Sequence, residues 1–117
     1  MTQFGAFVQT ARRSLQEADR RYSLRQVAKR IGVEPGYLSK IERGQVAPPS
    51  EAATVRLARE LDQDPDVLLA LGGKVSSDLQ EVIRKRPRLF AQLIRELRDA
   101  PDHAVLRIVR EVRDGDW

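Results

Sequence analysis

Apolar residues recur along this chain at intervals of three and four, the spacing that lines one face of an α-helix. Phe4, Phe7, Val8, Ala11, Leu15 and Ala18 fall on one stripe and predict a first helix. Ser23 opens a second, with Gln26 three residues later as the partner of a capping box. Leu24, Val27, Ala28 and Ile31 form its apolar face, and Gly32 ends it by tolerating a positive φ. A third helix is predicted over residues 34–42, with Leu38 and Ile41 inward and Gly44 as its stop. Pro48, Pro49 and Ser50 then make a rigid turn and an N-cap. A fourth helix follows over 51–61, with Ala53, Val55, Leu57, Ala58 and Leu61 as candidate core positions. Asp64 and Pro65 start a short fifth helix that includes 67–71, because a proline costs no hydrogen bond in a first helical turn.

Gly72 and Gly73 mark a candidate boundary between residues 1–73 and residues 74–117. Beyond it, Ser76 or Ser77 caps a helical segment over 78–85. Pro87 opens a helix carrying Leu89, Phe90, Leu93, Ile94 and Leu97, and Pro101 opens a last one carrying Val105, Ile108, Val109 and Val112, with Trp117 at its end. No strand-like alternation of useful length interrupts this pattern. The expected fold class is all-α: a five-helix domain with a C-terminal helical extension.

Composition narrows the function classes. The chain has 117 residues, 41% hydrophobic and 32% charged, which suits one domain or one small domain with an appendage. No stretch approaches the ~18 apolar residues of a membrane span, and no basic region followed by an apolar core opens the chain, so no leader and a cytoplasmic location are expected. The absence of cysteine removes disulfides, thiolate metal sites and cysteine nucleophiles. His103 is the single histidine, placed near the start of the last helix with no partner for a metal site. No nucleophile–base pair or glycine-rich phosphate loop stands out, and Asp64 and Asp66 suit the dipole of a helix start. No enzymatic activity and no cofactor are therefore expected.

Charge permits a polyanionic partner without demanding one, a solvated helical face being the plainer reading of a basic run. The net charge is +4, and its distribution is uneven. Residues 12–43 carry nine Lys and Arg against Glu17, Asp19, Glu34 and Glu42, a local balance of +5. Residues 44–73 balance at −3 and the remainder at +2. The excess of positive charge spans the end of the first helix and the two helices that follow. Two short helices across a turn-permissive joint, with an exposed polar face on the second, are what a helix-turn-helix requires; its second helix enters the DNA major groove and reads base edges near its N-terminus. Gly32 supplies the joint and Ala28 the small residue where the helices approach. Val27, Ile31, Val33, Leu38 and Ile41 are the anchors. The exposed face comprises Glu34, Pro35, Gly36, Tyr37, Ser39, Lys40 and Arg43.

The run SLRQVAKRIGVEPGYLSKIERG at residues 23–44 resembles the Cro/repressor-type (XRE) helix-turn-helix family. Pro49-Ser50, the stretch 57–61 and the short helix ending at Leu71 extend the resemblance over residues 4–71. It implies a five-helix domain binding double-stranded DNA, with Ser39 and Lys40 as base readers and Pro35 and Gly36 at the tip. Lacking polar side chains, Pro35 and Gly36 allow close backbone approach or contact with a thymine methyl. Ser23, Arg25, Tyr37, Arg43 and Gln45 are the candidate DNA-backbone contacts, a ring packed beside the helix being an equal reading of Tyr37. The family's acid at Glu42 implies a structural pair with Arg12 or Arg13 of the first helix. Two departures stand out. The segment between Arg12 and Ser23 is about five residues longer than usual, as an extra helical turn or as a loop carrying Arg20 and Arg21 towards the DNA backbone. Leu24 also replaces a frequent phosphate-binding glutamine.

One such domain is small for specific binding, which usually takes two modules on half-sites about 34 Å apart. The C-terminal stripes (Leu89, Phe90, Leu93, Ile94 and Leu97; Val105, Ile108, Val109 and Val112) are therefore expected to form a homodimer. An intrachain hairpin is the alternative. The expected function is a sequence-specific transcriptional regulator, a repressor by promoter occupancy. The competing function is an antitoxin-like module whose C-terminal helices bind a protein partner and which represses its own operon.

Overall fold

The computed structural model describes residues 3–115, so Trp117 lies outside the described residues. In chain order the elements are α1 (Gln3–Gln16), a single 3-10 turn (Arg20–Tyr22), α2 (Leu24–Ile31), α3 (Pro35–Glu42), α4 (Glu51–Glu60), α5 (Pro65–Leu71), α6 (Ser77–Lys85), α7 (Pro87–Leu97) and α8 (Asp102–Asp114). The chain divides into two compact units between Ser76 and Ser77. Its architecture is all-α, with five helices in the first unit and a C-terminal helical extension.

Helix starts in the first unit follow the capping residues. The Ser23 hydroxyl accepts from the Gln26 N–H at 3.3 Å, Ser50 accepts from Ala53 at 3.2 Å, and the Asp64 carboxylate accepts from Asp66 at 2.9 Å. Gln26 does not complete a capping box, because the Ser23 N–H already donates to the Arg20 carbonyl at 3.1 Å. Gly32 ends α2 at φ 78°, a conformation that a β-carbon resists. The apolar spacing that reaches Ala18 does not extend α1 that far. That helix stops at Gln16, leaving Ala18 beyond it and exposed, and residues 20–22 form the 3-10 turn.

The core of the unit gathers one face from each helix: Phe4 and Val8 from α1, Val27, Ala28 and Ile31 from α2, Leu38 and Ile41 from α3, Leu57 and Ala58 from α4, Leu68 from α5, with Leu61 between the last two. Phe7, Ala11, Leu15, Leu24 and Val33 pack against it half-buried. In α4 the expected core position Val55 is only half-buried, whereas Thr54 is buried, its hydroxyl donating to the Pro49 carbonyl at 3.3 Å. That bond satisfies the polar group and lets a threonine replace an apolar side chain inside.

Two contacts fix α3 against α1. At Gly5 the helices cross so closely that a Cβ would overlap the Ile41 carbonyl oxygen and lie 2.8 Å from that of Glu42. Seven residues on, Arg12 meets Glu42 in a bidentate pair, Nε to Oε2 at 2.7 Å and Nη2 to Oε1 at 3.0 Å. Both side chains are more than nine-tenths buried. The remaining Arg12 nitrogen, Nη1, donates to Gln16 Oε1 at 3.0 Å and to the Tyr22 carbonyl at 3.2 Å. Arg12, not Arg13, is thus the partner of Glu42.

In the second unit α6 packs against α7, and no side chain of α6, α7 or α8 is buried among the described residues. Leu89, Leu93, Ile94, Ile108, Val109 and Val112 are exposed, while Phe90, Leu97 and Val105 are half-buried. The apolar stripes of α7 and α8 do not bury one another within the chain.

Two substitutions probe the α1–α3 junction. Gly5→Ala is expected to destabilise the protein by about 1–3 kcal/mol, since the backbone must move apart; a urea midpoint equal to that of the parent would contradict the close crossing. Arg12→Met is expected to cost about 3–5 kcal/mol by stranding a buried carboxylate, and pairing it with Glu42→Leu is expected to restore most of that. Equal losses in the single and double variants would contradict the account of the pair.

Candidate nucleic-acid interface

The α2–α3 pair is built from short-range and long-range constraints together. Gly32 turns the chain, and Pro35 occupies the first position of α3, after Glu34, which makes no side-chain capping bond. At the far end of α2, Arg56 of α4 donates from Nε to the Ile31 carbonyl at 3.2 Å. Arg30 joins α2 to α4 through an ion pair with Glu60. These contacts hold the joint from outside, and neither follows from local pattern, because their partners lie 25 and 30 residues away.

Leu38, Ile41 and Glu42 form the inward side of α3. Gly36, Tyr37, Lys40 and Arg43 are exposed, with Pro35 and Ser39 half-buried at the margins of that face and Gln45 exposed just beyond it. Of the four residues expected to read bases, Gly36 and Lys40 are thus exposed, and Pro35 and Ser39 are only partly so. The Arg43 Nε donates to the Ser39 carbonyl at 3.3 Å, folding the guanidinium back along its own helix and leaving its terminal nitrogens to the surface. Tyr37 is 37% exposed, so its ring neither stands free nor enters the core.

The start of α2 is the second part of the surface. Arg25 is exposed beside the half-buried Ser23. Ser23 spends one acceptor position on the Gln26 N–H and keeps its O–H to donate. Leu24 packs half-buried against the core instead of presenting a polar group outward. The preceding 3-10 turn is capped by Asp19, whose carboxylate accepts from the Arg21 N–H at 2.9 Å and from the Arg21 guanidinium at 2.7–3.1 Å. The side-chain hydrogen bond from Arg21 holds the Asp19 carboxyl below its ordinary value, and the same bond raises Arg21 above its own.

Nothing in this surface is arranged for metal chemistry: among the described residues no three His, Cys, Asp or Glu side chains are grouped to hold an ion. No helix among them is long and apolar enough to cross a membrane.

Comparison with curated proteins and with solved structures yields no match. A family described as helix-turn-helix domain matches residues 3–71, the span of α1 to α5 and more than half of the chain. The protein therefore belongs to the helix-turn-helix domain family and carries a DNA-binding, non-catalytic module.

Proposed function

We propose that the protein is a sequence-specific transcriptional regulator of the Cro/repressor (XRE) type, a cytoplasmic repressor that binds operator DNA as a homodimer. The observation that carries this reading is the α3 face: Gly36, Tyr37, Lys40 and Arg43 lie outward on a helix whose inner side is locked by Leu38, Ile41 and the Arg12–Glu42 pair. α3 enters the major groove, where Lys40 donates to guanine O6 or N7 and Ser39 meets a neighbouring base edge. Ser23, Arg25, Tyr37, Arg43 and Gln45 contact phosphates and sugars and set the register.

Gly36 supports close approach at the tip. Within a helix a glycine costs about 1 kcal/mol relative to alanine. Here no packing contact requires it, since a Cβ would meet nothing within 4 Å. A bare backbone at that point, beside Pro35, suits contact with a base edge or a thymine methyl that a side chain would hold away.

The homodimer is proposed to form through the second unit. Its apolar stripes on α7 and α8 stay open within the chain, and Val82, Arg86, Leu89, Phe90 and Leu93 line a shallow cavity of about 160 Å³ between α6 and α7. A two-fold partner buries these faces and places two α3 helices on successive half-sites. Repression follows from occupying a promoter.

Two substitutions in α3 separate folding from reading. Lys40→Ala is expected to lower specific affinity roughly 5- to 150-fold and relax one base position, the range of one good base contact. Gly36→Ala is expected to fold at least as stably as the parent and still bind its site more weakly. Parental affinity and base preference in both variants, measured by competition against random duplex, would contradict the assignment of the α3 face. For the dimer, Leu93→Asp is expected to halve the mass in solution measured by light scattering. A monomeric parent at micromolar concentration would contradict self-association and leave the C-terminal stripes to a different protein, as in the antitoxin-like alternative.

A further inference from the structure

The 3-10 turn ahead of α2 is rigidly built for a short surface segment. The Tyr22 carbonyl accepts from the buried Arg12, and the Arg21 carbonyl accepts from Arg30. The Arg30 guanidinium also lies over the Tyr22 ring at 5.4 Å from its centroid, and Tyr22 packs against the core. Arg21 and Tyr22 are thus fixed by their backbone or ring, while the Arg20 and Arg21 side chains extend to the surface.

The neighbouring cations differ in what neutralises them. Arg30 is paired with Glu60 and Arg21 with Asp19. Arg20 is exposed and makes no ion pair or side-chain hydrogen bond among the described residues. Ser23 closes the turn and opens α2, so Arg20 stands at the N-terminal end of the helix that crosses the DNA backbone in a helix-turn-helix.

We propose that this turn is an added phosphate-binding element, in which Arg20 contacts the DNA backbone beside the half-site and Asp19 neutralises Arg21, so that the turn counts as one cation. This rests on the proposed reading of α2 and α3 as the DNA-binding pair and extends its footprint to the turn that precedes them. The fixed backbone means that little chain ordering accompanies the contact. Because a phosphate carries no base identity, the turn adds affinity without changing the preferred sequence.

The test is the dependence of binding on salt, using the full-length protein and one duplex site. Each phosphate contact contributes about 0.9 to the slope of log K against log salt. Arg20→Ala is expected to reduce the slope by about that amount per protomer bound, with base preference and thermal midpoint unchanged. Asp19→Asn retains an acceptor for the Arg21 N–H and removes the charge, so it is expected to steepen the slope by a similar amount. An unchanged slope in Arg20→Ala overturns the phosphate contact, and an unchanged slope in Asp19→Asn overturns the neutralising role of that acid. A parent protein that does not bind duplex DNA overturns the broader functional reading instead, which separates the two failures.

Discussion

A buried, bidentate ion pair between Arg12 and Glu42 joins the first helix to the third and sets much of what lies around it. A charge pair removed from water is a poor source of net stability, because desolvation offsets most of the attraction. What it imposes is geometry. A guanidinium and a carboxylate satisfy one another fully in few arrangements, and leaving either unsatisfied inside the core is costly. Glu42 is the last residue of α3, so the pair anchors the end of that helix opposite Pro35. The same guanidinium also holds the Tyr22 carbonyl. One side chain therefore connects α1, α3 and the turn that leads into α2. The close crossing at Gly5 acts alongside it, bringing the backbones of α1 and α3 together where a larger residue would force them apart.

The helical order of this unit was legible because its information is local. Ser23, Ser50 and Asp64 cap the helices they precede, and Gly32 takes the positive φ expected of a helix stop. The Arg12–Glu42 pair was legible only through family resemblance, since nothing in spacing or composition links residues 30 apart. Gly5, Thr54 and Arg56 were missed for the same reason: each acts on a group brought near by the tertiary fold. The length of the segment before Ser23 was visible in the sequence, but its conformation was not. Apolar spacing runs on to Ala18, and only the structure shows α1 stopping at Gln16 and the chain tightening into a 3-10 turn.

The two units differ in how completely they use their apolar residues. In the first, a stripe from every helix closes over a common core. In the second, three amphipathic helices leave theirs at the surface. The proposed division of labour follows this contrast. A self-sufficient domain presents α3 to DNA, and an extension that gains from association supplies the second half-site reader. Two-fold symmetry would then match the symmetry of the DNA site, so the requirements of binding and of burial have a common solution. The family match over residues 3–71 makes the first unit a DNA-binding helix-turn-helix module.

The most direct measurement is a selection of bound duplexes from a random-sequence pool with the full-length protein at near-physiological salt. The account predicts enrichment of a pseudo-palindrome whose half-sites lie about one helical turn, roughly 34 Å, apart. Binding that responds to salt but enriches no sequence would leave only the electrostatic attraction to phosphates. It would contradict the claim that the α3 face reads bases.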